Sequence, residues 1–381
     1  QQLGNNMNIT KDSLDLIGNT PLLLVKNLDT GPCNLYLKLE SFNLGGSIKD
    51  RPAKNMIIEA EKKGLLKKGG TIVEATAGNT GIALAIMAVK RGYKVVIIVP
   101  DKMTIEKVYH LKALGAEVIV ARSDVVNGHP EYYLEIAKKI AKERKAFYIN
   151  QFSNQANIKS HIKDLGPEIY KQLNGKIHAF VAGVGTGGTI SGIGKFLKSK
   201  NKKCELVLAD PKGSILKDLI KTGKINKNVG SWIVEGIGED FCPPLLDTSL
   251  IDHAYSISDF EAIDSCRKLL QNEGILAGSS SGTLLATALK FCKAQKVKKN
   301  VVTLICDAGD KYLRKIYNES WRVKEGFNFK KKRNNLLDIV SNINSSRSIP
   351  IININSFCSL AFKLMHENSI NFLLVENDKK K

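Results

Sequence analysis

The stretch TIVEATAGNTGIALAIMAVKRGYKVVIIVP (71–100) carries the pattern that decides the fold. It begins and ends with short, continuous runs rich in β-branched residues, TIVEA (71–75) and KVVIIVP (94–100). Such runs are typical of strands that are buried on both faces of a parallel sheet. A glycine-containing loop, TAGNTG (76–81), leads from the first run into the helical pattern GIALAIMAVKR (81–91). This order of strand, loop, helix and strand predicts an α/β fold with right-handed crossovers.

The same alternation continues along most of the chain. Five more strand-like runs are EVIVA (117–121), AFYIN (146–150), AFVAGV (179–184), ELVLAD (205–210) and VVTLIC (301–306). Helical patterns such as YLEIAKKIAKER (133–144), with its apolar stripe, lie between them. The length of 381 residues suits two packed units and an appendage.

The composition excludes several classes of protein. No apolar run approaches the length needed to cross a bilayer, and QQLGNNMNIT (1–10) lacks the features of a secretory signal. The seven cysteines are odd in number and widely spaced, without a C-x-x-C pair, and the six histidines form no H-x-x-H cluster. This pattern favours reduced thiols in the cytoplasm over disulfides or a metal site. The formal charge of +20 is spread along the chain without interleaved aromatics, so we expect no nucleic-acid partner.

Three glycine-rich loops follow predicted strands or precede helices, where ligands bind in open α/β sheets. The first, TAGNTG, would form an anion pocket at a helix N-terminus, and its Asn79 amide could donate to a ring oxygen. The second, GTGGT (185–189), could hold one phosphate through backbone N–H groups and two threonine hydroxyls, although a tight β–α turn explains it equally well. It is neither a Walker A motif nor a full G-x-G-x-x-G fingerprint.

The third loop, AGSSSG (277–282), formally matches the G-x-S-x-G nucleophile elbow of hydrolases, with Ser280 as the nucleophile. A hydrolase of that kind needs an acid and then a histidine further along the chain. The only later histidine is His366, in a tail that is predicted to be separate. The hydrolase interpretation is therefore poor, and Ser280 needs another role.

One lysine lies at a pre-shaped junction in FNLGGSIKDRPAKNMI (42–57). The two glycines permit a sharp turn, and Asp50 and Pro52 suit the first turn of a helix. Lys49 is placed between that turn and that helix. By itself this could be one solvated lysine among 57 basic residues.

Five motifs in order change this interpretation: GNTPL (18–22), GGSIKDR (45–51), the Asn79 loop, GTGGT and GSSSG. Together they resemble the fold-type II pyridoxal-phosphate enzymes, and specifically the cysteine synthase and cystathionine β-synthase family, over roughly residues 13–327. The resemblance implies a tryptophan synthase β-like fold, namely two three-layer αβα subdomains with open, twisted, mostly parallel sheets. It also implies pyridoxal 5'-phosphate as cofactor and a homodimer.

The resemblance assigns the cofactor contacts. Lys49 would hold the cofactor as a Schiff base and later move the Cα proton, Asn79 would meet the ring hydroxyl, and Ser280 would bind the pyridine nitrogen. A neutral serine leaves the ring a weaker electron sink, which favours prompt loss of the β-substituent. The cofactor phosphate would be bound by Gly185, Thr186, Gly187, Gly188 and Thr189.

The resemblance also assigns the substrate contacts. The loop residues Thr76, Ala77, Gly78 and Thr80 would grip the amino-acid carboxylate, with Gln151 beside them. Family members usually have serine where this chain has Ala77, which leaves the donor open between serine, O-acetylserine and another activated serine. The stretch VEGIGEDF (234–241) and the extension 310–327 favour cystathionine β-synthases, with Gly236 and Glu239 near the acceptor. The Glu239 carboxylate would either meet the amino group of homocysteine or only face solvent.

The expected reaction is β-replacement on L-serine or O-acetyl-L-serine by L-homocysteine, through an aminoacrylate, to give L-cystathionine. The alternative is a cysteine synthase that uses sulfide. KDRPAK (49–54) is also similar to synthases that join an activated serine to an amine, and an inactive binding module is a further possibility. Haem-containing relatives have a cysteine and a histidine before GNTPL, and this chain has neither there, so we expect no haem.

The predicted domains are a catalytic core (8–327) that contains a mobile subdomain (about 52–160), a polar linker (328–348) and a tail (349–381). The tail has the pattern of a strand, a helix with apolar Leu360 and Phe362, and a second strand. It resembles the first half of a Bateman-type (CBS) regulatory motif, and the alternative is a stray β–α–β end.

Overall fold

The computed structural model describes residues 9–76, 78–101, 103–125, 128–225, 229–327, 350–368 and 373–376. The chain divides into two compact units, residues 1–321 and 322–381. The predicted linker (328–348) lies outside the described residues.

The first unit contains a six-stranded sheet with the strand order β1-β2-β10-β7-β8-β9. Its strands are β1 (Leu22–Leu24), β2 (Asn34–Leu39), β7 (Ala179–Ala182), β8 (Glu205–Pro211), β9 (His253–Ile257) and β10 (Asn300–Ile305). All neighbours are parallel except β1, which is antiparallel to β2. Sequence analysis did not predict the strands β1, β2 and β9. They are short or contain polar residues, which is common in half-buried strands at or near the edge of a sheet.

A second, four-stranded sheet has the order β5-β4-β3-β6 and is entirely parallel. Its strands are β3 (Thr71–Ala75), β4 (Lys94–Pro100), β5 (Glu117–Ala121) and β6 (Phe147–Tyr148). The first three have the predicted bounds. The strand β6 is shorter than predicted because Asn150 takes a left-handed conformation, with φ of 52°, which breaks the extended backbone.

Helices connect and cover these strands, and the last helix of the unit ends beyond its boundary. They are α1 (Asp50–Lys62), α2 (Asn79–Arg91), α3 (Ile105–Ala113), α4 (Tyr133–Glu143), α5 (Gln155–Ser160), α6 (Gly166–Gln172), α7 (Gly188–Lys200), α8 (Leu216–Thr222), α9 (Asp259–Glu273), α10 (Ser279–Lys293) and α11 (Glu319–Lys324). A π-helical segment, His161–Leu165, joins α5 to α6. The described helices include none that is long and apolar enough to cross a membrane.

Both sheets are covered on two faces, as the α/β prediction requires. In the four-stranded sheet, Ile72 and Ile97 pack with residues of α1 and α2, whereas Val73 and Ile98 pack on the other face with Ala137 of α4. The six-stranded sheet forms one core with α6, α7, α9 and α10. Alternate side chains of a strand point to opposite faces, so runs that are apolar at every position need helices on both sides. The prediction of two three-layer subdomains is therefore confirmed.

The second unit contains β11 (Ile351–Asn353), α12 (Cys358–Asn368) and β12 (Leu374–Glu376). The two strands are parallel neighbours, with Ile352 opposite Val375. The expected order of strand, helix and strand is present. Its assignment to a Bateman-type motif stays a prediction.

Candidate functional site

The end of β10 brings distant loops together. Just beyond the strand, the Cys306 carbonyl accepts a hydrogen bond from the Ile48 N–H at 2.8 Å. The backbones of Asp307 and Ser47 form an isolated antiparallel β-bridge. On the other side, the backbones of Ala308 and Ala277 form a second antiparallel β-bridge. The segment before Lys49 and the segment before Ser280 therefore flank the same short stretch of chain, although more than half of the sequence separates them.

Lys49 immediately precedes α1 and is half-buried. Its backbone N–H donates to the Ser47 hydroxyl at 3.2 Å. Among the residues that the structure describes, its ammonium has no hydrogen-bond or ion-pair partner. Loss of water contact lowers the pKa of Lys49, and the carboxylates of Asp307 and Glu239 oppose this shift only in part. A lysine of this kind is more readily neutral, and therefore nucleophilic, than a solvated one.

The GTGGT loop follows β7 and opens α7. Gly187 has a positive φ of 83°, and a Cβ there would lie 2.7 Å from the backbone nitrogen of Leu246, so the turn requires glycine. The Thr186 hydroxyl accepts a hydrogen bond from the Asn157 amide at 3.0 Å. The same amide donates to the Gln151 carbonyl at 3.0 Å, which joins this loop to the opposite side of the cleft.

His161 lies behind the same loop in the π-helical segment. Its Nε2 is 3.3 Å from the Thr189 hydroxyl, and its buried Nδ1 has no partner among the described residues. Burial, with the nearby Lys49 and Arg51 charges, lowers the pKa of His161 to about 3, so the ring is neutral. Sequence analysis missed His161 and Asn157, because neither belongs to a glycine-rich motif.

The TAGNTG loop turns from β3 into α2. Thr76 is buried and its hydroxyl accepts a hydrogen bond from the Gly78 N–H at 3.2 Å. The Thr80 hydroxyl donates to Gln151 Oε1 at 2.8 Å, and Gln151 Nε2 donates to the Ala75 carbonyl at 3.2 Å. The predicted substrate residues Thr76, Gly78, Thr80 and Gln151 are thus in one place, and Ala77 lies outside the described residues.

Asn79, the first residue of α2, has two charged neighbours. Its Nδ2 donates to Asp307 Oδ2 at 2.8 Å, and its Oδ1 accepts from Lys311 Nζ at 3.1 Å. Tyr312 donates its hydroxyl to the same Asp307 oxygen at 2.7 Å. Sequence analysis missed Asp307, Lys311 and Tyr312, although their position just after the carboxyl end of β10 was a signal that could have found them.

The remaining predicted residues complete the cleft. Ser280 is buried in the first turn of α10, and its hydroxyl lies near the Cys306 thiol. Gly236 packs against the GTGGT loop so closely that a Cβ on Gly185 would lie 2.6 Å from the Gly236 carbonyl oxygen. The Gly238 N–H donates to the Val184 carbonyl at 2.8 Å, which holds Glu239 beside Lys49 and Gly185.

These groups fit pyridoxal phosphate. The cleft offers a half-buried lysine whose ammonium makes no direct ion pair with any described residue and could meet an aldehyde. It also offers a glycine-rich turn at a helix N-terminus for a phosphate and a buried hydroxyl for a ring nitrogen. No group of three or more metal-ligating side chains occurs among the described residues.

Comparison with known proteins agrees with this fit. The family model described as pyridoxal-phosphate dependent enzyme matches residues 14–307. The cystathionine beta-synthase of Apis mellifera is 42% identical over 328 residues, which cover 85% of this chain and 64% of that protein. The O-acetylserine dependent cystathionine beta-synthase of Bacillus subtilis is 40% identical, over 81% of this chain and 98% of that protein. A cysteine synthase of Dictyostelium discoideum is 37% identical, over 82% of this chain and 85% of that protein.

Solved structures show the same likeness. A hydrogen sulfide-producing enzyme from Fusobacterium nucleatum superposes with a TM-score of 0.74 at 38% identity, over 80% of this chain and all of that one. The chain therefore belongs to the fold-type II pyridoxal-phosphate dependent enzymes, in the family of cystathionine β-synthases and cysteine synthases. It is a pyridoxal-phosphate enzyme, and it spans less than two thirds of the length of the Apis mellifera relative.

Proposed function

We propose that this protein joins the β-carbon of L-serine or O-acetyl-L-serine to the sulfur of L-homocysteine, which yields L-cystathionine. The β-carbon–oxygen bond breaks and a carbon–sulfur bond forms, and the thiol proton ends on the departing water or acetic acid. Pyridoxal phosphate, when bound, withdraws electrons from Cα and so permits loss of the β-substituent. The protein supplies orientation, charge and proton transfer.

Lys49 has the central role in this proposal. It attaches the cofactor, and its amine afterwards takes and returns the Cα proton of the substrate. The lowered pKa of Lys49 supports both tasks, because only the neutral amine can attack an aldehyde or accept a proton.

The other predicted residues bind and orient. Asn79 would contact the ring oxygen, Ser280 would contact the ring nitrogen, and the GTGGT loop would hold the phosphate. The hydroxyl and backbone N–H groups of the loop from Thr76 to Thr80 bind the substrate carboxylate. Gln151 supports this loop through its hydrogen bonds to Thr80 and Ala75.

The observation that carries the choice of acceptor is the position of Glu239. Its Oε1 lies beside Gly185 of the GTGGT loop, its charge acts on Lys49, and its N–H is held by the Ser214 hydroxyl at 3.1 Å. Homocysteine carries an ammonium group that a carboxylate in this cleft can bind. Hydrosulfide is an anion, which the same carboxylate repels. The Bacillus subtilis relative, named for O-acetylserine and cystathionine, supports this choice.

The second candidate is a cysteine synthase that uses sulfide. The relative from Dictyostelium discoideum that is named cysteine synthase and the hydrogen sulfide-producing enzyme from Fusobacterium nucleatum both favour it. Under this alternative the stretch VEGIGEDF is only a structural loop.

The experiment is a product assay by mass spectrometry. The protein with pyridoxal phosphate is offered serine or O-acetylserine, each with homocysteine and sulfide together. Cystathionine is expected as the main product. Glu239→Gln should raise the KM for homocysteine about 10-fold and leave that for sulfide unchanged, since one charge contact to the ammonium is lost. The matched control is Asp240→Asn, next to it and exposed to solvent. Cysteine as the main product would show instead that the protein is a cysteine synthase.

The organisation of the protein is part of the proposal. We expect a homodimer in the cytoplasm, with residues of about 52–160 moving as a unit over the substrate, and a regulatory role for the tail. The seven cysteines are all free, which supports a reducing compartment. Sedimentation of the purified chain tests the dimer.

A further inference from the structure

The side-chain amide of Asn79 is held between two opposite charges. Its nitrogen donates to the carboxylate of Asp307 and its oxygen accepts from the ammonium of Lys311. A carboxylate only accepts hydrogen bonds and an ammonium only donates them, so the reversed amide would meet both with the wrong group. The two charges therefore allow one orientation of Asn79.

Lys311 also contacts the loop that leads to Lys49. It is 6% exposed, and its Nζ donates to the Gly45 carbonyl at 3.2 Å and lies 3.5 Å from the Gly46 carbonyl. Its three donors are thus directed at Asn79 and at this loop. A buried ammonium that lost these partners would be costly, so the contacts are part of one rigid arrangement.

Asp307 is held through one carboxylate oxygen, Oδ2. Its carboxylate is 1% exposed and accepts hydrogen bonds from Tyr312 and Asn79. The Tyr312 hydroxyl in turn accepts from Lys107 at 3.1 Å. Because one N–H of the Asn79 nitrogen is used by Asp307, the other is left for a ligand in the cleft.

We propose that Lys311 and Asp307 are positioning residues for pyridoxal phosphate, which orient the Asn79 amide toward the ring oxygen of the cofactor and join it to the Lys49 loop. This inference rests on the proposed contact of Asn79 with that oxygen. It adds two buried charged residues, more than 220 positions away from Asn79 in sequence, to the group that determines how the ring lies.

The test is a double-mutant cycle on cofactor binding. The variants Asn79→Ala, Lys311→Met and the combined variant are freed of cofactor, and the dissociation constant of pyridoxal phosphate is measured by its absorption and fluorescence. Each single variant should bind about 10-fold more weakly, and its visible absorption band should shift. If Lys311 acts through Asn79, the combined variant should be no weaker than Asn79→Ala alone.

Lys315→Met is the matched control. This lysine, four residues on, pairs with Glu235 at 2.9 Å and does not contact Asn79, so its loss should leave the affinity within about 2-fold of the parent. If Lys311→Met does not fold, as judged by thermal unfolding without cofactor, Asp307→Asn gives the same cycle with an isosteric change.

Two results would overturn the proposal. Additive losses in the combined variant would mean that Lys311 supports the structure without acting through Asn79. Unchanged affinity in Asn79→Ala would remove the assumed contact with the ring oxygen. Neither result depends on which acceptor the enzyme uses, so the product assay stands or fails separately.

Discussion

Lys107 Nζ lies 2.6 Å from Glu235 Oε2, and the two residues belong to the subdomains of different sheets. Lys107 is on α3, beside the four-stranded sheet, and its side chain is 2% exposed. Glu235 precedes the glycine turn beside the GTGGT loop and also pairs with Lys315. Burial alone would raise the pKa of Glu235, but the two ammonium groups outweigh burial and lower it. This ion pair joins the two subdomains beside the TAGNTG loop.

Removing the Lys107 charge should therefore destabilise the protein. Lys107→Met removes the buried member of this pair and leaves the half-buried Glu235 carboxylate with one partner fewer, so we expect a loss of about 3 kcal/mol in the free energy of unfolding, measured with urea at pH 7. Lys139→Met is the control, because its 3.9 Å pair with Glu143 is exposed and should contribute less than about 0.5 kcal/mol. Equal losses in the two variants would show that the pair does not join the subdomains.

Lys49→Ala should abolish turnover and weaken pyridoxal-phosphate binding about 100-fold, since the covalent attachment and the proton carrier are lost together. Product formation by mass spectrometry and cofactor titration measure the two effects. Lys62→Ala, at the exposed end of the same helix, should retain both. Ordinary turnover in Lys49→Ala would refute its assigned role.

Gln151→Ala should act on the substrate more than on the cofactor. The change removes the acceptor of the Thr80 hydroxyl and the donor to Ala75, so the carboxylate-binding loop loses its support. We expect the KM for serine or O-acetylserine to rise about 10-fold, with cofactor affinity unchanged. Gln155→Ala, exposed at the start of α5, is the control. A loss of cofactor affinity alone would contradict the assignment.

The burial of Glu74 predicts that the stability of the protein depends on pH. It is fully buried next to the carboxylate-binding loop, and burial raises its pKa from 4.5 to about 8. Between pH 4.5 and 8 the folded protein keeps the proton of Glu74 while the unfolded chain releases it. The contribution of Glu74 to the free energy of unfolding therefore falls as pH rises through this range.

Glu74→Gln should remove this dependence, because the amide stays neutral. The variant should lose less stability than the parent protein between pH 5 and 8, with a difference on the order of 3 kcal/mol at the upper end. Urea unfolding at several pH values measures it. Parallel pH curves for the parent and the variant would show that Glu74 is ionised when folded.

The local pattern of the sequence was sufficient for much of the fold. The runs TIVEA, KVVIIVP and EVIVA are the strands β3, β4 and β5 without a change of bounds, because every residue type in them suits a strand between two helix layers. The resemblance of five ordered motifs identified the family, which the comparisons confirm. The strands β1, β2 and β9 were missed, since half-buried strands carry a weaker pattern.

The sequence by itself determined the α/β class, the family and the loops that line the cleft, because these depend on residue type and on spacing along the chain. Only the tertiary structure decided which remote charges meet those loops: Asp307 and Lys311 on Asn79, Glu235 on Lys107, and Glu239 beside Lys49. Local periodicity contains no information about contacts between residues that are 128 to 232 positions apart. Those contacts arise when parallel strands place their carboxyl ends at one edge, and burial then makes each charge depend on its partner.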